Sequence, residues 1–188
     1  MTQKPNSQTD PQRAQRLTRG LSVAHELFQL GKYDQAEEAC LALLASEGSD
    51  PDILTLLGSV IIERGDPDRA IPYFVKVADL VPDKARPHNN LGIAYKRGGR
   101  LEEAEAAYRR ALVIDASYAQ AHNNLGTTLI ERGNVIEAVR SFEAAIKFDE
   151  TFLGARRNLA HALLESNQPE RAAAELQRCL LYTSPSPR

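Results

Sequence analysis

HNNLG stands at residues 88–92 and again at residues 122–126, a recurrence of 34 positions. A fixed period of that length marks a chain built from small repeated units, none of which can bury its apolar face alone. Extended from Leu17, the period divides the sequence without insertion into residues 17–50, 51–84, 85–118, 119–152 and 153–186. Columns that the pentapeptide did not define then agree. The seventh carries Val23, Leu57, Leu91, Leu125 and Leu159, and the eighth is small: Ala24, Gly58, Gly92, Gly126 and Ala160. The eleventh is Leu27, Ile61, Tyr95, Leu129 and Leu163, and the twentieth is alanine throughout: Ala36, Ala70, Ala104, Ala138 and Ala172. The twenty-fourth reads Cys40, Phe74, Tyr108, Phe142 and Leu176.

Each unit reads as two helices. Columns 7 and 11 lie one turn apart on one apolar stripe, and columns 20, 24 and 27 or 28 form a second. Between the stripes, column 15 holds Gly31, Gly65, Gly99, Gly133 and Asn167. These are the residues that adopt a left-handed helix terminus at least cost. Pro67 and Pro169 follow two residues later, in the first turn of a second helix, and Asp66 is placed to cap it. The small residues of columns 8 and 20 let the paired helices approach closely. Strand signals are absent, so the expected class is all-α.

The stretch NNLGIAYKRGGRLEEAEAAYRRAL, residues 89–112, resembles the tetratricopeptide repeat in its Leu, Gly, Tyr, Ala, Tyr and Ala columns. The resemblance covers residues 17 to about 178 as five repeats. It implies a right-handed superhelical solenoid of tandem antiparallel helix hairpins. Departures exist: the proline near the end of each unit occurs only as Pro82, and column 4 lacks Trp. Leu43 is large for column 27, which predicts irregular packing in the first unit. Pro72, inside a second helix, predicts the loss of one backbone hydrogen bond and a kink.

Composition excludes several functions. Apolar residues make up 43% and charged residues 26%, the balance of a soluble folded chain, while a net charge of -2 gives no pull toward nucleic acid or anionic membrane. Residues 1–16 are polar and lack an apolar segment, which reads as a disordered leader and not a secretory signal. Cys40 and Cys179 make no disulfide framework, and the cytoplasm is the expected compartment. The last ten residues, CLLYTSPSPR, break the pattern. They resemble an in-frame translation of a sequencing-library adapter, the alternative being a natural disordered tail. On the adapter reading residues 179–188 are not native, Cys179 included, and the natural protein continues.

No catalytic set emerges, and neither metal nor cofactor is expected. His88 and His122 share a column, which reads as a repeated packing position. His161 and Glu165 are one turn apart with no second histidine to complete a zinc motif. Cys40 occupies a core column and reads as an inert small hydrophobe. The cluster Glu102, Glu103, Glu105, Arg109 and Arg110 reads as i,i+4 pairing on a solvated helix face.

What remains is a binding face. The resemblance implies that the first helix of each unit lines a concave surface, with columns 2, 5, 6, 9, 12 and 13 pointing into it. Column 6 holds Asn90, Asn124 and Asn158, and column 5 adds Asn89 and Asn123. Stacked, the column-6 carboxamides would form a ladder able to donate and accept hydrogen bonds along an extended peptide. The repeats of O-linked N-acetylglucosamine transferases carry a similar asparagine column. Arg86, Lys96, Arg97, Thr127, Arg157 and His161 complete the expected partner-binding set, a mixed but locally basic strip facing Glu131 and Glu165. The family's clamp for chaperone tails needs other residues than the pairs Asn89 with Ile93 and Asn123 with Thr127, so that partner is disfavoured. The expected function is a scaffold for a protein or peptide segment. The alternatives are the substrate-recognition arm of a larger glycosyltransferase or sulfotransferase, and self-association through uncapped terminal helices.

Overall fold

The computed structural model describes residues 11–183, the side chains of residues 12–179 among them. Ten α-helices and no strand occur among the described residues. They form two compact units, one ending at Val81 and the other beginning at Pro82. The first holds α1 (Pro11–Gln29), α2 (Tyr33–Glu47), α3 (Pro51–Glu63) and α4 (Pro67–Leu80). The second holds α5 (Ala85–Arg97), α6 (Leu101–Ile114), α7 (Ala119–Glu131), α8 (Val135–Phe148), α9 (Leu153–Glu165) and α10 (Pro169–Thr183).

The 34-residue register fixes these boundaries. In every hairpin the second helix opens at column 17: Tyr33, Pro67, Leu101, Val135 and Pro169. The preceding turn is the same five times. Gly31, Gly65, Gly99, Gly133 and Asn167 have φ between 57° and 88°. At Gly99 the backbone N–H donates to Lys96 O (3.0 Å), and the N–H of Arg100 donates to Tyr95 O (2.9 Å). That pair of bonds satisfies the last carbonyls of the first helix and reverses the chain within three residues. Asp66 accepts a hydrogen bond from the Arg69 amide and caps α4 as expected. Where hairpins 3 and 4 lack the closing proline, Asp115 Oδ1 accepts from the amide and hydroxyl of Ser117, and Asp149 does the same for Thr151. An aspartate turn therefore ends these hairpins.

Packing explains the small columns. A Cβ on Gly58, Gly92 or Gly126 would fall 2.7, 2.5 or 2.6 Å from the ring of Phe74, Tyr108 or Phe142 respectively. The first and fifth hairpins carry Cys40 and Leu176 in the aromatic column, and there column 8 is Ala24 and Ala160. Column 8 thus shrinks only where column 24 is a ring. The five column-20 alanines are all buried. In the second unit α6 packs against α5 and α7, and α8 against α7 and α9, so each hairpin buries its neighbour's stripe.

Two expectations are corrected. Residues 11–16 belong to α1, not to a disordered leader; residues 1–10 lie outside the description. Arg13 and Arg16 hold the buried Glu47 carboxylate at 3.0 and 3.4 Å, which ties that extension to α2. Leu43 does not disturb the first hairpin, because Gly20 on α1 leaves its side chain room. Within the string at residues 179–188, whose origin the fold does not address, Cys179 to Thr183 continue α10, and residues 184–188 are outside the description. As for Pro72, α4 runs on through it to Leu80.

Candidate functional site

Among the first helices of the second unit, α5 touches α7 and α7 touches α9. On α7 and α9 the column-6 carboxamide reaches back to the first helix of the preceding hairpin, so the expected ladder is built differently from a straight stack. Asn124 Nδ2 donates to Asn89 Oδ1 at 3.0 Å, and Asn158 Nδ2 donates to Asn123 Oδ1 at 2.9 Å. Each rung is diagonal, from column 6 of one hairpin to column 5 of the hairpin before it. Asn89 is only 1% exposed, so it is removed from the expected partner-contact set. Its carboxamide oxygen is a buried acceptor that Asn124 satisfies, and leaving it bare would cost a desolvation penalty. Asn90, Asn123, Asn124 and Asn158 are half-buried. Asn90 has no side-chain hydrogen bond among the described residues, and neither does Oδ1 of Asn124 or Asn158.

The basic strip is less basic than its sequence. Lys96 Nζ donates to Thr127 Oγ1 at 3.0 Å and pairs with Glu131 Oε1 at 2.9 Å, crossing from α5 to α7. Thr127 in turn donates its hydroxyl proton to Asn124 O (2.9 Å). Beside this bridge lies a cavity of about 490 Å³ lined by Ile93, Lys96, Arg97, Tyr108, Asn124, Thr127 and Glu131. Burial pushes the Tyr108 phenol well above its usual range, and the Glu131 carboxylate adds to the shift. Arg86, Arg97 and Arg157 are exposed. His161 is exposed too, with Nδ1 3.4 Å from Glu165 Oε1.

Column 4 accounts for His88 and His122. Nε2 of His88 lies 3.4 Å from Pro82 O, and Nε2 of His122 lies 3.0 Å from Ala116 O. Arg156 reaches Glu150 O from the same column at 2.9 Å. Each fastens the loop six residues upstream, which supports the packing reading. Arg156 is buried and also holds Glu175 at 2.9 Å, pinning α9 to α10. The Cys40 thiol is fully buried and pushed up to about 11, by burial first and the nearby Glu37 second, so it is a poor nucleophile.

The charged cluster on α6 does more than pair along one solvated face. Glu105 does accept from Arg109 at 3.0 Å, but it also receives Arg132 from the next hairpin. Glu37 does likewise with Arg64 and Arg69. In both cases a column-21 glutamate holds a column-14 arginine one hairpin on. Burial alone would raise both carboxyls, but the arginine hydrogen bonds outweigh it and hold them below the usual range. A signal for this clamp is present in the sequence, because the two column pairs recur in register.

Among the described residues no His, Cys, Asp or Glu cluster suited to a metal occurs, and no helix is long and apolar enough to cross a membrane. The tetratricopeptide repeat family model matches residues 23–85, 62–119 and 89–151, and a second model of that description matches residues 129–188. The chain is 31% identical over 91 residues to tetratricopeptide repeat protein 21A of Mus musculus, covering 48% of this chain and 7% of that one. It is 28% identical over 82 residues to the UDP-N-acetylglucosamine--peptide N-acetylglucosaminyltransferase of Caenorhabditis elegans, covering 44% and 7%. The chain therefore spans a small fraction of these relatives. A solved structure of PilF from Pseudomonas aeruginosa shares the fold at a TM-score of 0.81 and 19% identity, over 93% of this chain and 79% of the other.

Proposed function

The chain belongs to the tetratricopeptide repeat family, and from that premise we propose that it is a protein-interaction scaffold holding an extended partner segment along α5, α7 and α9. The observation that carries this reading is the pair of amide rungs. Each fixes a carboxamide by its nitrogen and leaves the oxygen of Asn124 or Asn158 unspent. Packed helices lie about 9 Å apart, which is close to three residues of extended chain at roughly 3.3 Å each. A backbone amide of the partner would therefore meet one carboxamide per helix, with Asn90 as the third. Such contacts read main chain rather than side chains, and so tolerate varied sequences.

The test is to pan a displayed library of twelve-residue peptides against the full chain, then retest binders by fluorescence polarisation. The variant Asn90→Ala/Asn124→Ala/Asn158→Ala should lose binding. Asn90→Ala alone, which breaks no rung, should weaken it while leaving the circular dichroism melt in place. Binders indifferent to the triple substitution, or no binders at all, would refute the grip.

A second reading makes this chain the substrate-selecting arm of a larger enzyme, a glycosyltransferase or a repeat-containing sulfotransferase. The match to the worm N-acetylglucosaminyltransferase favours it. Its test is the reading frame of the source transcript beyond the fifth hairpin. A stop codon shortly after that hairpin removes this option, and continuation into a catalytic domain supports it.

A further inference from the structure

Column 12, on the same face, is Phe28, Ile62, Lys96, Ile130 and Leu164. Four of the five are apolar, so a lysine there gives up packing that the position otherwise makes. Lys96 is held by neighbours from the next helix. Its ammonium, on a side chain 26% exposed, donates to Thr127 Oγ1 and to the Glu131 carboxylate. An ammonium has three N–H donors, and these contacts use two. The cavity of about 490 Å³ opens beside it, floored by Ile93 and Tyr108 and edged by Asn124 and Arg97. Glu131 is half exposed and can swing into water, whereas Lys96 keeps its hydrogen bond to Thr127 Oγ1 when it does.

Resting on the groove reading above, we propose that this cavity is a subsite for one acidic side chain of the bound segment, and that Glu131 is its placeholder in the free protein. The incoming carboxylate takes the position of the Glu131 carboxylate on Lys96, while the Thr127 hydroxyl oxygen keeps its hydrogen bond from the ammonium. The placeholder keeps the ammonium paired when no partner is bound, since an unpaired half-buried charge is costly. Its competition also lowers the affinity of acidic segments. Removing the competitor should therefore tighten binding, the opposite of what loss of a contact residue does.

The experiment is an amide-resonance titration of the full ¹⁵N-labelled chain with a twelve-residue Ser/Thr/Ala peptide, blocked at both termini and carrying one central Glu. A Gln twin serves as control. The expected result is that the Asn124 and Thr127 resonances move and that the Glu peptide binds about fivefold tighter than its twin. Lys96→Met should erase that preference, and Met suits a column that is otherwise apolar, so the fold is retained. Glu131→Gln should tighten the Glu peptide about threefold and leave the twin unchanged. Equal affinities for the two peptides, or no tightening in Glu131→Gln, sink the subsite while binding along α5, α7 and α9 keeps the groove. No shifts on those helices with either peptide sink both. A peptide whose only carboxylate is a free C-terminus, if it binds more tightly than the Glu peptide, replaces the side-chain occupant with a chain end and overturns the proposal.

Discussion

The joint between the first and second hairpins and the joint between the third and fourth share one flank and differ on the other. On the shared flank, Asp34 and Glu37 hold Arg64, and Glu102 and Glu105 hold Arg132, column for column. On the other flank, the columns that form an amide rung between Asn89 and Asn124 are filled by Leu21 and Leu56. Both joints stack. The carboxylate–arginine clamp therefore belongs to stacking, while two leucines are enough for the opposite flank. Asparagine there forgoes apolar burial and obliges the fold to satisfy a buried carboxamide. That cost is what singles out the second unit as the place to look for a bound partner.

The comparison breaks most sharply at the rung. Asn124→Leu strands the Asn89 carboxamide and should cost about 2 kcal/mol in urea denaturation. Asn89→Leu/Asn124→Leu imitates the first joint and should recover most of that loss. A double variant no more stable than the single one would mean that the two joints are not interchangeable.

Next in size is the ring lock. Gly92→Ala drives a methyl toward the Tyr108 ring, and a loss of about 1–2 kcal/mol is expected from overpacking. In the first hairpin Ala24 sits with Cys40 without such a clash, so Ala24→Gly should cost less, about 1 kcal/mol, chiefly through backbone entropy. Equal losses in thermal melts would mean that the ring of column 24 does not dictate the size of column 8.

The smallest effect concerns what the joints share. Glu37 and Glu105 titrate below the ordinary carboxylate value of 4.5 in the folded chain. A depressed native pKa means that stability is fully present above about 4.5 and is lost as the pH falls through the lower native value. Melting temperature should hold from neutrality to about pH 5 and fall below it. Glu37→Gln and Glu105→Gln should each flatten that fall. The Glu37 change should lower the neutral melting temperature more, because its side chain is 7% exposed against 15% and both of its arginines come from the next hairpin. A neutral melting temperature lowered equally by both would show that burial does not set the strength of the clamp.

Much of the hairpin is legible in the sequence. Gly99 and Asn167 announce their turns, because only residues tolerant of positive φ can end a helix that way. The candidate face is half legible. Column position puts asparagines on one side of α5, α7 and α9, but it does not tell Asn89 from Asn90, which are neighbours in sequence and differ in burial. Nor does it show that the basic look of Lys96 is cancelled by a glutamate 35 residues away. The clamp is written in columns 18 and 21 of the first and third units and column 14 of the second and fourth, where the same charges return at these two joints.

The sequence by itself determined the period, the helix ends, the turn chemistry and the match between ring and glycine columns. These follow from contacts within three or four residues, or within one hairpin, where spacing dictates geometry. Only the tertiary structure decided which carboxamides are spent on neighbouring hairpins, which remain for a partner, and which carboxylate rests on Lys96. Those outcomes depend on how far one hairpin turns against the next, and the packing of whole side chains sets that angle.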